Sequence, residues 1–112
     1  MLTEQEMLQI AERFTRKIVD QNIEPMIYQK DTIRKPYGNI YFFDSKEYVL
    51  TGDFNKSLVG GGPFLVENKS GRVVTFGTSV SLEDNIKDYE NGTIGKSLDR
   101  YWYPDEDRFD YK

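Results

Sequence analysis

The chain has 112 residues, of which 38% are hydrophobic, 30% charged and 14% aromatic, and its formal net charge is −4. That length fits one domain with one core. The aromatic content excludes a disordered chain, and the negative charge disfavours a phosphate-backbone partner, which needs clustered Lys and Arg.

With no Cys and no His, the chain cannot form disulfides, thiolate or imidazole metal centres, or Ser–His and Cys–His catalytic pairs. The N-terminal run MLTEQEMLQIAERF lacks a basic segment followed by an apolar one. No stretch approaches the length of a membrane-spanning helix. A cytoplasmic location is therefore expected.

Thr3 and Glu6 have capping-box spacing. Met7, Ile10, Ala11, Phe14 and Ile18 then recur at helical intervals, which predicts an amphipathic helix from residue 3 to about 20. Residues 26–29 read as a short strand. Residues 30–38 are charged and contain Pro36 and Gly38, as a long hairpin connection would. NIYFF at 39–43 predicts a strand from its β-branched and aromatic content. Asp44-Ser45-Lys46 reads as a turn, residues 47–50 as the next strand, and Thr51-Gly52-Asp53 as its end. Residues 54–59 have room for one helical turn.

Gly60-Gly61-Gly62-Pro63 leads into a strand at 64–67. Asn68-Lys69-Ser70-Gly71 is a tight-turn signal, and 72–76 is the returning strand. Ser81 is placed to cap a second helix, with Leu82, Ile86 and Tyr89 on one face and Asn91-Gly92 at its end. The order predicts a two-layer α+β domain over residues 1–92: an N-terminal helix, an antiparallel sheet of about five strands, and a C-terminal helix packed on one face. Residues 93–112 read as an aromatic and acidic extension packed on that domain.

The glycine run does not read as a phosphate loop, because it precedes a strand and no Lys-Ser or Lys-Thr pair follows. Nineteen acidic residues offer no identifiable catalytic pair, and most fall on predicted helix surfaces and turns. Asp105-Glu106-Asp107 lacks the alternating ligands and turn glycine of a calcium loop. No catalytic, metal or cofactor site is predicted. In the tail, Tyr101, Trp102 and Tyr103 lie beside Asp105, Glu106 and Asp107. Aromatic anchors ringed by carboxylates suit a surface that meets a basic protein partner. The same residues equally suit a last strand whose charges face water.

Five segments stand in order: YGNIYFFDS (37–45), LTGD (50–53), GGGPFLVENKSGRV (60–73), FGT (76–78) and LEDNIKDYE (82–90). This ordered set resembles the immunity protein 35 family, the YrhB-like domains of bacteria. The resemblance implies an antitoxin-like protein that binds and neutralises a cognate toxin domain of a polymorphic or contact-dependent system inside the producing cell. The matched residues form no catalytic site, and with the residue content above no enzyme activity, no cofactor, and neither a nucleic-acid nor a membrane partner is expected. Gly38, Gly60, Pro63, Gly71, Gly77 and Tyr89 match the pattern as architecture: turns, a step into a strand, and a helix-to-sheet contact. The tail lies outside the pattern, so its six residues are the expected contact surface. A chaperone-like or housekeeping binding protein is the alternative, and the chain is expected to be a monomer or homodimer.

Overall fold

A computed structural model of the chain describes residues 1–58, 62–78, 80–95, 97 and 99–110. The first helix, α1 (Glu4–Ile18), starts at the predicted capping box. The Thr3 hydroxyl accepts the Glu6 N–H at 3.1 Å, and the Glu6 carboxylate accepts the Thr3 N–H at 2.9 Å. Acidic side chains fill its first turn and Arg16 and Lys17 its last, matching the helix dipole. Met7, Ala11 and Phe14 form the buried stripe.

Among the described residues, eight strands follow. They are β1 (Pro25–Ile27), β2 (Ile33–Lys35), β3 (Gly38–Tyr41), β4 (Phe43–Ser45), β5 (Phe64–Glu67), β6 (Val73–Thr75), β7 (Tyr101–Tyr103) and β8 (Arg108–Asp110). Helix α2 (Lys46–Thr51) follows β4, and α3 (Leu82–Asn91) follows β6. One antiparallel sheet has six strands in the order β2-β3-β5-β6-β7-β8, while β1 and β4 pair as a separate ribbon.

The register explains the core. Ile33, Ile40, Leu65, Val74 and Tyr101 face one another across neighbouring strands. They pack with Leu82, Ile86 and Tyr89 of α3. The next row, Val66, Val73, Trp102 and Phe109, points the other way. It packs with Met7, Ala11 and Phe14 of α1.

The α+β class, the N-terminal helix, the antiparallel pairing and a helix packed on the sheet are as expected. The layering differs, because α1 and α3 cover opposite faces and the domain has three layers. The cause is legible in β5 and β6, whose consecutive Phe64-Leu65-Val66 and Val73-Val74 are all buried. Strands covered on both faces lose the alternation of polar and apolar residues.

Three local expectations are corrected. Residues 47–50 form helix α2 rather than a strand. The Ser45 hydroxyl accepts the Tyr48 N–H at 3.1 Å, and Gly52 caps the other end. The predicted strand 39–43 divides, with β3 in the large sheet and β4 in the ribbon against β1. The connection at 30–38 contains the edge strand β2. The expected single helical turn near residue 54 is present as a 3₁₀ turn, Phe54–Lys56.

Of the architectural residues, Gly38 allows β3 to approach β5, since a Cβ there would lie 2.1 Å from the Val66 carbonyl oxygen. Gly71 closes the β5–β6 turn at φ 76°, beneath Leu2 and Ile10 of the N-terminal segment. The Pro63 carbonyl accepts the Phe76 N–H at 3.0 Å, and the Gly77 carbonyl accepts the Asn85 amide at 3.0 Å. Gly60 lies outside the described residues. The segment after Gly92 supplies β7 and β8 and so continues the sheet.

Candidate interaction surface

A β-strand sends successive side chains to opposite faces, and this rule divides the tail residues. Trp102 points toward α1 and is 1% exposed. Its indole N–H donates to Asp107 at 3.0 Å, and Lys17 of α1 reaches the same carboxylate at 2.8 Å. Lys17 and then Trp102 hold the Asp107 carboxyl below its usual range. Asp107 takes a positive φ of 47° in the β7–β8 turn. Arg13 donates to the Pro104 carbonyl at 3.2 Å and lies over the Trp102 ring. Trp102 is therefore a core residue, which removes it from the expected contact surface, and Asp107 is part of the clamp between α1 and the hairpin.

Tyr101 and Tyr103 point to the α3 side and are half-buried. The Arg72 guanidinium lies 4.3 Å from the Tyr101 ring centre, and that of Arg108 lies 4.6 Å from the Tyr103 ring centre. Arg108 also reaches Glu106 at 3.3 Å and Asp110 at 3.4 Å. Arg72 makes a two-pronged pair with Glu67, at 2.7 and 2.9 Å. These bonds raise Arg72 above its ordinary pKa.

The Tyr89 hydroxyl donates to the same Glu67 carboxylate. Burial first, and this bond second, push the phenol up. The Tyr37 ring packs at a tilt against that of Tyr89, with ring centres 4.9 Å apart, and its hydroxyl donates to Glu90 at 2.7 Å. The outcome is a continuous strip, Tyr37–Tyr89–Glu67–Arg72–Tyr101–Tyr103–Arg108, running beside α3 to the β8 edge. Its side chains already hold one another, so a partner would order few rotamers on binding. Exposed Asp105 and Glu106 border it.

Sequence reasoning singled out Tyr101, Tyr103 and Tyr89 but missed Glu67, Arg72, Arg108 and Tyr37 as their partners. A signal existed for one pair. Glu67 and Arg72 flank the predicted turn at 68–71, and residues flanking a hairpin turn become cross-strand neighbours. A second exposed feature is Leu50 of α2 with Phe54 in the turn after it, 65% and 81% exposed.

Among the described residues, no group of three or more Asp or Glu is gathered to hold a metal. No helix among them is long and apolar enough to cross a membrane.

Over 53 residues the chain is 36% identical to a protein of Escherichia coli K12 named "Uncharacterized protein YrhB". The match covers 47% of this chain and 56% of that protein, so it spans about half the length of each. No family model matches the chain, and no solved structure matches it.

Proposed function

We propose that this chain is a bacterial immunity protein that binds and neutralises a cognate protein toxin in the cytoplasm, without chemistry of its own. The observation that carries this reading is the ordered Tyr–Arg strip beside α3. Tyr and Arg dominate binding hot spots, and here the Tyr101 and Tyr103 rings are already covered by guanidinium groups. The ordered resemblance of residues 37–90 to the immunity protein 35 pattern supports the same reading. So does the similarity to YrhB over 53 residues. Tyr103, Arg72 and Arg108 form the centre of the proposed contact, with Asp105 and Glu106 on its rim steering a basic partner.

The test has two stages. The tagged chain is used to capture partners from its own lysate, and captured chains are identified by mass spectrometry. The expected result is one stoichiometric partner with a toxin-like domain whose expression arrests growth unless this chain is co-expressed. Tyr103→Ala combined with Arg108→Glu should abolish that protection while leaving far-UV circular dichroism unchanged. Growth arrest that co-expression does not relieve rejects the proposal.

A second reading, a chaperone-like protein with loose client specificity, draws on the exposed Leu50 and Phe54. It predicts capture of many partly unfolded chains in place of one partner.

A further inference from the structure

We infer that two copies of this chain pair edge to edge through β8, in one antiparallel register centred on Phe109. The hydrogen-bond ladder sets up the edge. Thr75 donates its N–H to the Arg100 carbonyl at 2.8 Å, so Thr75 and Val73 turn their backbone groups toward β7. Val73 lies opposite Trp102, so Trp102 turns its own toward β6. Backbone groups alternate sides along a strand. Tyr101 and Tyr103 therefore bond to β8, and Asp110 and Arg108 bond back to them. Phe109, between those two, points its N–H and C=O away from β7. Strand β8 ends the sheet, so these groups form its open edge, which offers main-chain bonds to a further strand.

Charge selects a second copy as that strand. The order Arg108-Phe109-Asp110 is self-complementary in an antiparallel pair. With a two-fold axis at Phe109, the two Phe109 residues exchange both main-chain bonds, and Arg108 of each copy stands opposite Asp110 of the other. The smallest slip that keeps the same faces together is two residues. It sets Arg108 against Arg108 in one direction and Asp110 against Asp110 in the other, and like charges directly opposite disfavour pairing. Only the centred register matches them. Arg108 and Asp110 lie on the α3 side with Tyr103 and Tyr101, while the two Phe109 rings meet on the α1 side. Phe109 is half-buried against Phe14, with ring centres 6.3 Å apart, and its counterpart extends that cover. The neighbouring charges do not oppose this. Lys17 lies over the Phe109 ring and pairs with Asp107 at 2.8 Å. Asp105 and Glu106 sit in the turn, at least three residues from the axis. At ~3.3 Å per residue the turns of the two copies stand ~20 Å apart. The opposite edge of the sheet is unsuited, because β2 carries Arg34 and Lys35 and runs into Pro36, which has no N–H. Pairing at β8 joins two six-stranded sheets into one and brings the two Tyr–Arg strips together on its α3 side.

Sedimentation velocity of the full chain over a wide concentration range tests this. The expected result is a concentration-dependent species of twice the 13.1 kDa chain mass. Arg108→Asp alone sets Asp against Asp, and Asp110→Arg alone sets Arg against Arg, so each should leave only the single-chain mass. An equal mixture of these two variants should restore the doubled mass, because each copy then meets its complement. Arg108→Asp and Asp110→Arg combined in one chain should restore it as well. Recovery in the mixture separates lost pairing from lost folding. A wild-type chain that stays monomeric throughout overturns the inference. So does a dimer that either single variant retains at wild-type strength, and so does an equal mixture that stays monomeric.

Discussion

Glu67 links more of the molecule than any single apolar contact. Its carboxylate joins the β5–β6 turn to α3 by accepting from both Arg72 and Tyr89. Replacing it with Ala leaves a half-buried guanidinium and a phenol without their acceptor. Bonds to charged groups are worth about 1.5–3 kcal/mol each in such settings. Glu67→Ala should therefore lower stability by about 2–3 kcal/mol in urea titration, and Tyr89→Phe by about 1.5 kcal/mol. Equal urea midpoints for wild type and Glu67→Ala would show the strip to be incidental to stability. Gly38 makes a sharper prediction. Its missing side chain lets the Val66 carbonyl approach to within 2.1 Å of where a Cβ would stand. Because that neighbour is backbone in an interior strand pair, Gly38→Ala should cost more than about 3 kcal/mol or prevent folding. A soluble variant with an unchanged melting temperature would refute this.

At the scale of elements, the hairpin of β7 and β8 is the test of domain extent. It supplies Trp102 and Phe109 to the core beneath α1 and covers the edge of β6. A chain ending at Gly92 should expose that edge, bind a hydrophobic dye and aggregate, as unprotected edges do. A soluble monomer with cooperative melting would instead make residues 93–112 an appendage. The same hairpin shows where sequence reasoning stops. Helices α1 and α3 were legible because their caps and apolar spacing are local signals. Gly71 and the 68–71 turn were legible for the same reason. Helix α2 was not, because Tyr48-Val49-Leu50 favours strands by composition, whereas Ser45 and Gly52 set it by capping. The face to which Trp102 points depends on pairing between β6 and β7 across about 28 residues of intervening chain, and spacing along the sequence does not encode that. The arginines over Tyr101 and Tyr103 were hidden for the same reason.

For the whole molecule, titration should narrow stability from both sides. Glu4, Glu6 and Asp107 have folded-state pKa values below their ordinary ones, through bonds from Asn39, Thr3 and Lys17 respectively. The folded state thus releases these protons more readily than the unfolded state. The resulting stability is present above the ordinary carboxylate range and is lost as pH falls through the lowered values. Tyr28, Tyr37, Tyr41 and Tyr89 are raised, each chiefly by burial. Their contribution is complete below about pH 10 and disappears as pH climbs beyond it. Urea midpoints measured against pH should show a plateau with falling flanks, and Tyr89→Phe should shallow the alkaline flank. An alkaline flank identical in both proteins would exclude Tyr89 as a contributor. The clamp between α1 and the hairpin also bears on how the chain is made. Arg13 and its acceptor Pro104 are 91 residues apart. During synthesis at ~5–20 residues per second, the first helix is made ~5–20 s before the β7–β8 part of its seat. Through that interval Met7, Ala11 and Phe14 can pack only on the earlier-made part of their cluster, including Val66 and Val73, so the nascent chain must tolerate a partly covered apolar stripe until Trp102 and Phe109 arrive.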